Sequence, residues 1–262
     1  MREGRASLTA PRARAVARVI KRTFDVAIAV IVLVLWAPVV ALVALAIVVE
    51  SPGPVFYRAR RVGYRGRPLR MLKFRKMSPN AGGDALTTYD DARLTRVGAI
   101  LAATRLDELP QFWHVLRGEM SIVGPRPEDP RLAAHRPEDF REILLVRPGI
   151  SGLSQLAFAD ERRILRRDDP VADYLQRILP QKCALDRLYV ARATPATDLR
   201  IVVWTVIAVL LRRPVAVNRS TGATTLRRPR VAITAALESQ LAVHEQTPSP
   251  EPEVAAADAA AA

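Results

Sequence analysis

The sequence predicts an α+β fold: a mostly helical domain with a short β-hairpin, anchored by an N-terminal re-entrant membrane helix. Residues 26–49 carry no charge, and about 20 apolar residues are enough to cross a bilayer. Residues 55–62 and 68–74 are two runs of bulky side chains around a turn with two glycines, which is the pattern of a hairpin. Prolines and glycines divide the remaining chain into short segments with the apolar spacing of helices.

Composition limits the classes of partner. The 262 residues carry a formal net charge of +14, and only 5% are aromatic. Basic residues flank the apolar segment on both sides, which favours an anionic membrane surface, and the scarce aromatic residues argue against a nucleic-acid partner. The single cysteine, Cys183, excludes an intrachain disulfide framework and thiolate metal clusters, which fits the reducing cytoplasm.

Shifts in composition predict four regions. Residues 1–20 form a basic leader, residues 21–50 a re-entrant membrane helix, and residues 51–215 a cytoplasmic domain. Residues 216–262 form a C-terminal extension that is expected to be disordered from about residue 247, because it is composed there of Pro, Glu and Ala without aromatic residues. A basic segment before an apolar one is also typical of a signal peptide, but no small-residue cleavage pattern follows.

Pro38 lies in the middle of the apolar segment, where a proline removes a backbone hydrogen bond and kinks a helix. Arginines occur at both ends of the segment, so the positive-inside rule does not indicate which end would lie on the non-cytoplasmic side of the membrane. A helix that bends at Pro38 and leaves by the face through which it entered satisfies both observations. A bent helix that spans the bilayer is the alternative.

Further helices are expected in five segments. Residues 199–211 are apolar but too short to span a bilayer, so they form either a core helix or a helix lying in the membrane interface. The other four segments are residues 94–101, 108–116, 139–145 and 168–192. Residues 148–152 are predicted to form a turn.

The adjacent carboxylates Asp107 and Glu108 are the strongest candidate site. Two neighbouring acids repel each other unless a cation or a reaction requires them, and Pro110 places them at the start of a helix, which favours anions and phosphate. A carboxylate can attack phosphorus and carry the phosphoryl group as an acyl phosphate. A second carboxylate beside it can help to hold Mg²⁺.

A second element, Pro125-Arg126-Pro127, holds an arginine between two prolines. Proline fixes the backbone, and the planar guanidinium of arginine matches phosphate oxygens. The element therefore predicts a preorganised anion clamp. Together with the acid pair, it indicates chemistry on a phosphate-bearing substrate at a membrane surface.

These residues belong to a series of short motifs that occur in order between residues 20 and 212: KRTFD, SPGPV, KFRKM, RLTRVG, LDELPQ, GEMSIVGPRPE, RPGISGLSQ and DRLY. In this series the chain resembles the bacterial sugar transferases that act on polyprenyl phosphate, the monotopic phosphoglycosyl transferases. Each motif is weak alone, but their common order is specific.

The resemblance implies an enzyme on the cytoplasmic face of the inner membrane. It would move a sugar-1-phosphate from a UDP-sugar to undecaprenyl phosphate and release UMP, the initiating step of exopolysaccharide or glycoconjugate synthesis. In that family the residue matching Asp107 is the nucleophile, which gives an aspartyl-phosphosugar intermediate, and the residue matching Glu108 belongs to the Mg²⁺-dependent site with it. The expected substrate contacts are Lys73, Arg75, Arg105, Pro125, Arg126 and Pro127.

The chain also departs from the family pattern. Relatives often have an arginine where this chain has Ala102, so Arg105 is expected to substitute for it or phosphate binding is weaker. Relatives often have serine in place of Lys76 and asparagine in place of His114. We expect His114 to be a packing residue rather than a proton shuttle.

The alternative function is a non-catalytic basic membrane adaptor that binds anionic lipid or partner proteins. In that case substitution of Asp107 or Glu108 would change nothing. The sequence leaves open which sugar is used and whether the chain forms a homo-oligomer.

Overall fold

The computed structural model describes residues 9–227, apart from residues 80, 83–85, 87–90, 167 and 212. The start of the predicted leader and most of the predicted C-terminal extension lie outside the described residues. The described α-helices are α1 (Thr9–Glu50), α2 (Arg96–Thr104), α3 (Phe112–Leu116), α4 (Pro130–Ala133), α5 (Pro137–Ile143), α6 (Leu153–Ala157), α7 (Glu161–Ile164), α8 (Pro170–Asp173), α9 (Leu179–Arg192) and α10 (Pro195–Leu210). The described strands are β1 (Phe56–Val62), β2 (Pro68–Phe74), β3 (Ser121–Val123), β4 (Gly149–Ser151), β5 (Val215–Val217) and β6 (Thr224–Leu226).

Helix α1 is the one helix of the described part that is long and apolar enough to cross a membrane, with a mean hydropathy of 3.0 in its most apolar window. Only 6% of that window is buried. Large side chains in its middle face outward, among them Val34 at 67% and Leu35 at 70% exposure. A core helix of a soluble protein would bury these side chains, so their exposure indicates a lipid environment. Pro38 lies inside the helix, which continues on both sides of it.

Both ends of the predicted membrane segment of α1, residues 21–50, contact the folded domain. Near its start, the Lys21 ammonium lies 2.7 Å from Asp198 Oδ2, and the buried Asp25 carboxylate accepts a hydrogen bond of 2.8 Å from the Ser121 hydroxyl. At its end, the Glu50 carboxylate accepts the first two backbone N–H groups of α2, at 2.7 and 3.0 Å. The two ends of the membrane helix are therefore fixed to one domain, while its middle is exposed.

Strands β1 and β2 form the predicted antiparallel hairpin, which the structure confirms. One face of the hairpin packs into the core through Ala59, Leu69 and Met71, each at most 5% exposed. The backbone N–H of Leu72 donates a 3.0 Å hydrogen bond to Nε2 of the buried His114 on α3. His114 is thus a packing residue, as expected, and it fixes the hairpin against α3.

The helix predicted for residues 108–116 is present but is not one continuous α-helix. A 3₁₀-helix covers Leu106–Gln111, and α3 follows it directly. Pro110 cannot donate a backbone hydrogen bond, which favours the tighter turn at this point. The helix predicted for residues 94–101 begins at Arg96, after the N-cap Thr95 accepts a hydrogen bond from the Gly98 backbone N–H.

A turn was predicted for residues 148–152, but Gly149–Ser151 form strand β4, which pairs with β3 in a two-stranded parallel ladder. The pairing requires glycine: a Cβ at Gly124 would lie 2.4 Å from the Arg147 carbonyl oxygen, and one at Gly149 would lie 2.1 Å from the Gly124 nitrogen. A third strand pair, β5 with β6, is antiparallel. The α+β prediction is confirmed, with two strand pairs that the sequence did not indicate.

The helices predicted for residues 139–145 and 199–211 are present as α5 and α10. The helix predicted for residues 168–192 is present as α8 and α9, which are joined by a π-helical turn over Tyr174–Ile178. Helix α10 has two apolar faces. Ile201 is fully buried in the main core, while Leu199, Val203 and Val206 are 47–55% exposed. The alternatives of a core helix and an interface helix thus describe two faces of one helix.

Candidate active site

The acid pair lies on the 3₁₀-helix and lines a cavity of about 350 Å³. Contacts between β2 and the 3₁₀-helix bring the hairpin to one wall of this cavity. Its charged lining residues are Arg61, Lys73, Lys76, Arg105, Asp107, Glu108, Arg126, Glu128, Asp160, Glu161 and Lys182. Six of these residues are lysine or arginine, which are the side chains that bind phosphate oxygens.

Arg105 starts the 3₁₀-helix in the left-handed region, with φ 59° and ψ 14°. This conformation is costly for a residue other than glycine, and such strain occurs most often at functional sites. The Arg105 guanidinium donates a hydrogen bond to the carbonyl oxygen of Ala159. Arg105, a predicted substrate contact, therefore lines the cavity. Its guanidinium is bound to Ala159, which is another residue of the cavity lining.

Asp107 forms an ion pair with Lys76, whose ammonium lies 2.9 Å from Asp107 Oδ2. The Asp107 side chain is 5% exposed and that of Lys76 is 21% exposed. Lys76 lies in the KFRKM motif, at a position where relatives often have serine, and it was not predicted to contact the acid pair. No local signal could have identified this contact, because the direction of the Lys76 side chain depends on how the chain turns after β2.

Glu108 is held by two cations at once. Lys73 Nζ and Arg126 Nη2 each lie 2.9 Å from Glu108 Oε1. Burial alone would raise the pKa of Glu108, but Arg126 and Lys73 outweigh it and hold that pKa well below its ordinary value. Glu108 is therefore an anion at every pH at which the protein would function.

The two cations respond differently to this pairing. The Glu108 carboxylate raises the pKa of Arg126, despite the burial of the guanidinium. Burial lowers the pKa of Lys73, and Glu108 opposes that shift only in part. The predicted contacts Lys73 and Arg126 are thus brought together around one carboxylate oxygen.

The Pro-Arg-Pro element is positioned by the parallel strand pair. The carbonyl oxygen of Pro125 accepts a 2.8 Å hydrogen bond from the Gly149 backbone N–H. Arg126 and Pro127 line the cavity, and Pro125 is buried outside it. Pro125 therefore supports the loop, whereas Arg126 supplies the charge.

Arg75, which was predicted to contact substrate, is not among the residues that line the cavity. Its guanidinium donates hydrogen bonds to the carbonyl oxygens of Ser51 and Pro52, in the loop that follows α1. A Cβ at Gly53 would lie 2.4 Å from Arg75 Nη1, so this loop closes over the side chain. Arg75 fixes the exit of the membrane helix to the end of β2.

A second charged group in the cavity was not predicted. The buried Lys182 ammonium lies 3.0 Å from Glu161 Oε2 and donates a 2.8 Å hydrogen bond to the Tyr174 hydroxyl. The Tyr174 hydroxyl in turn donates to Glu128 Oε2. Burial alone would lower the pKa of Lys182, but Glu161 and Glu128 raise it above its ordinary value. These residues come from distant segments, so no local pattern could have identified them.

Asp186 is a buried carboxyl group close to this wall. Burial raises its pKa to about 7, although hydrogen bonds from the Ser154 hydroxyl and the Arg126 backbone partly oppose the shift. Among the described residues no hydrogen-bond partner reaches its Oδ1 atom. Asp186 therefore holds the backbone of Arg126 from behind the cavity.

The carboxylates of the cavity are the residues that could hold a metal ion. Among the described residues, no group of three or more His, Cys, Asp and Glu side chains is arranged to hold one. Mg²⁺ commonly uses one or two carboxylates and completes its shell with water and ligand phosphates. Hydrogen bonds from described residues to Glu108 use Oε1, and the ion pair of Asp107 uses Oδ2. The acid pair therefore fits a Mg²⁺ ion that arrives with a phosphate ligand, and does not form a closed metal cage.

Several known proteins are similar to this chain in sequence. The UDP-glucose:undecaprenyl-phosphate glucose-1-phosphate transferase of Caulobacter vibrioides is 40% identical over 196 residues, which cover 72% of this chain and 69% of that protein. The exopolysaccharide production protein PSS of Rhizobium leguminosarum bv. phaseoli is 36% identical over 203 residues, covering 74% of this chain and 96% of that protein.

An Escherichia coli protein with the same name as the Caulobacter relative is 43% identical over 148 residues. The match covers 53% of this chain but only 31% of that protein, so the chain spans under a third of this longer relative. The family model described as bacterial sugar transferase matches residues 16–212, a range that includes α1 from residue 16 onward, the hairpin and every residue of the cavity. The chain therefore belongs to the bacterial sugar transferase family.

Proposed function

We propose that the protein transfers a sugar-1-phosphate from a UDP-sugar to undecaprenyl phosphate and releases UMP. The names of the Caulobacter and Escherichia coli relatives support this reaction class. The observation that carries the proposal is the acid pair on the 3₁₀-helix, with cations within 2.9 Å of both carboxylates, inside a cavity of about 350 Å³. This arrangement combines a nucleophile with the positive charge that a diphosphate requires.

In the first step, a carboxylate oxygen of Asp107 attacks the β-phosphorus of the donor. The bond between that phosphorus and the bridging oxygen breaks, and UMP leaves with the electron pair. The product on the enzyme is an aspartyl-phosphosugar. Lys73 and Arg126 face the growing charge on the departing phosphate, because Glu108 holds both of them at the cavity wall.

In the second step, a phosphate oxygen of undecaprenyl phosphate attacks the same phosphorus. The Asp107 oxygen–phosphorus bond breaks, and the carboxylate is regenerated. The two displacements require ping-pong kinetics. Asp107 and Glu108 would hold Mg²⁺ together with the diphosphate, and the ion would supply neutralising charge on the phosphate oxygens.

We place the reaction at the cytoplasmic face of the inner membrane. Both ends of the predicted membrane segment of α1 contact one domain, while the middle of the helix around Pro38 is exposed and apolar. A re-entrant path through one leaflet accounts for both facts, since a straight spanning helix would carry one end away from the domain. The exposed face of α10, with Leu199, Val203 and Val206, would lie in the interface beside it.

The adaptor alternative does not account for the site. A lipid-binding surface needs exposed cations, whereas Lys73 is 12% and Lys76 is 21% exposed, and each is paired with a carboxylate. Buried ion pairs are costly to desolvate, and the adaptor function gives no reason for them.

The test is UMP release by the purified full chain with undecaprenyl phosphate and a panel of UDP-sugars. We expect one donor to give sustained UMP release, and omission of the acceptor to limit release to about one equivalent per enzyme. Asp107→Asn should abolish turnover while Arg141→Met, an exposed substitution on α5, leaves it unchanged. Activity of Asp107→Asn near that of the wild type would rule out the proposed nucleophile.

A further inference from the structure

Each carboxylate of the acid pair has its own lysine. Lys73 Nζ lies 2.9 Å from Glu108 Oε1, and Lys76 Nζ lies 2.9 Å from Asp107 Oδ2. Glu108 also has Arg126 on the same oxygen. Among the described residues, Lys76 is the only cation within ion-pair distance of Asp107.

The position of Lys76 is fixed by its backbone. Its carbonyl oxygen accepts a 3.0 Å hydrogen bond from the Thr95 backbone N–H, ahead of α2. Gly98 approaches the same carbonyl so closely that a Cβ at residue 98 would lie 1.9 Å from the oxygen. The next residue, Met77, forms a β-bridge with Leu94. The ammonium is therefore delivered to Asp107 from a clamped segment, unlike that of a mobile surface lysine.

An ammonium at this point acts directly on the reacting groups. It lies 2.9 Å from the carboxylate that would attack phosphorus and so fixes the orientation of that carboxylate. It contacts one carboxylate oxygen, Oδ2, which leaves Oδ1 for the attack. After attack, the negative charge lies on the phosphoryl oxygens that are bonded next to the same carboxyl group, within reach of the same ammonium.

We propose that Lys76 is a catalytic residue that orients the Asp107 carboxylate and then neutralises the phosphoryl group bonded to it. This inference rests on the proposed function. In the first displacement the Oδ1–phosphorus bond forms and the bond from phosphorus to the bridging oxygen breaks, with the electron pair leaving on UMP. Lys76 keeps its proton throughout. In the second displacement the Asp107 oxygen leaves as a carboxylate, and the ion pair with Lys76 forms again.

The first test compares Lys76→Met and Lys76→Arg with the wild type in the burst of UMP released without acceptor. We expect the burst rate of Lys76→Met to fall about 100-fold, the usual effect of removing one preorganised charge contact, with KM for the UDP-sugar changed less than threefold. Lys76→Arg should keep at least a tenth of the rate. Arg141→Met removes an exposed cation from α5 and serves as the matched control.

The second test separates charge from folding. Lys76→Cys treated with 2-bromoethylamine regains an ammonium on a side chain of nearly lysine length, and treatment with iodoacetamide gives a neutral side chain instead. The natural cysteine, Cys183, is protected, since it is buried and burial raises the pKa of its thiol to about 12. We expect aminoethylation to restore the burst rate at least tenfold and carbamidomethylation to restore none of it.

The outcomes distinguish this inference from the proposed function. A wild type that releases no UMP from any donor contradicts the proposed function itself. An active wild type with a Lys76→Met burst rate within threefold overturns only the role of Lys76. Equal activity of the aminoethylated and carbamidomethylated proteins also overturns it, because the ammonium would then have no function.

Discussion

Gly98 lies in the first turn of α2, where its replacement by alanine should have two opposite effects. Alanine is a better helix former than glycine by about 1 kcal/mol, so propensity alone predicts a more stable protein. The structure predicts the reverse. The added Cβ would lie 1.9 Å from the Lys76 carbonyl oxygen and 2.7 Å from the carbonyl carbon.

The size of the effect follows from this contact. Contacts of Cβ under 3.0 Å are essentially never seen, so the Lys76 segment must move away from α2 by more than 1 Å. Overpacking of this kind costs about 1–3 kcal/mol, and loss of the hydrogen bond from Thr95 to Lys76 costs about 1 kcal/mol more. After the gain in propensity we expect Gly98→Ala to lower stability by about 2 kcal/mol.

For a domain of this size that change lowers Tm by about 4–8 °C. The same shift carries the Lys76 ammonium away from Asp107, and a displacement of about 1 Å at a reacting group costs on the order of 100-fold in rate. Thermal unfolding in detergent and the UMP burst measure the two effects. Gly82→Ala is the control, because no atom of the described residues lies within 4 Å of a Cβ at that position. A Gly98→Ala protein with unchanged or raised Tm would refute the reasoning.

Three further predictions concern other residues. Glu108→Gln removes the common anionic partner of Lys73 and Arg126, so UMP release should fall about 100-fold; a fall of less than threefold would contradict this. Arg75→Met should lower Tm by a few degrees, because the carbonyl oxygens of Ser51 and Pro52 lose their hydrogen-bond donor, but it should leave KM for the UDP-sugar within twofold; a tenfold rise in KM would show that Arg75 contributes to substrate binding. The pKa of Asp186 is about 7 in the folded protein against an ordinary 3.8, so the unfolded chain binds fewer protons between these values, and stability falls as pH rises from about 4 to 7. Asp186→Asn should flatten that decline in Tm, and identical pH profiles would exclude the buried carboxyl as its cause.

Local patterns predicted the parts of the fold that depend on local interactions. The hairpin followed from its glycine-bearing turn, and the long apolar helix from its length and lack of charge. The parallel pair of β3 and β4 was missed, because three-residue strands carry no periodicity and their pairing depends on close approach at Gly124 and Gly149. The 3₁₀-helix was expected as an α-helix, since Pro110 is tolerated in the first turn of either.

The candidate site was predicted by residue type but not by partner. Asp107, Glu108, Lys73 and Arg126 lie together as expected. The sequence could not show that Lys76, rather than Arg75, points its charge at the acid pair, because that depends on how the chain turns after β2. The pairing of Lys182 with Glu161 and Glu128 depends on tertiary packing alone.

The central claim is that an oxygen of Asp107 becomes covalently bonded to phosphorus. Intact-protein mass spectrometry of the full chain, acid-quenched after incubation with its UDP-sugar without acceptor, measures this directly. The account predicts a protein heavier by one sugar phosphate less water, with the adduct mapped to Asp107, lost on addition of undecaprenyl phosphate and absent from Asp107→Asn. An active enzyme that shows no adduct, or an adduct that persists in Asp107→Asn, would contradict it.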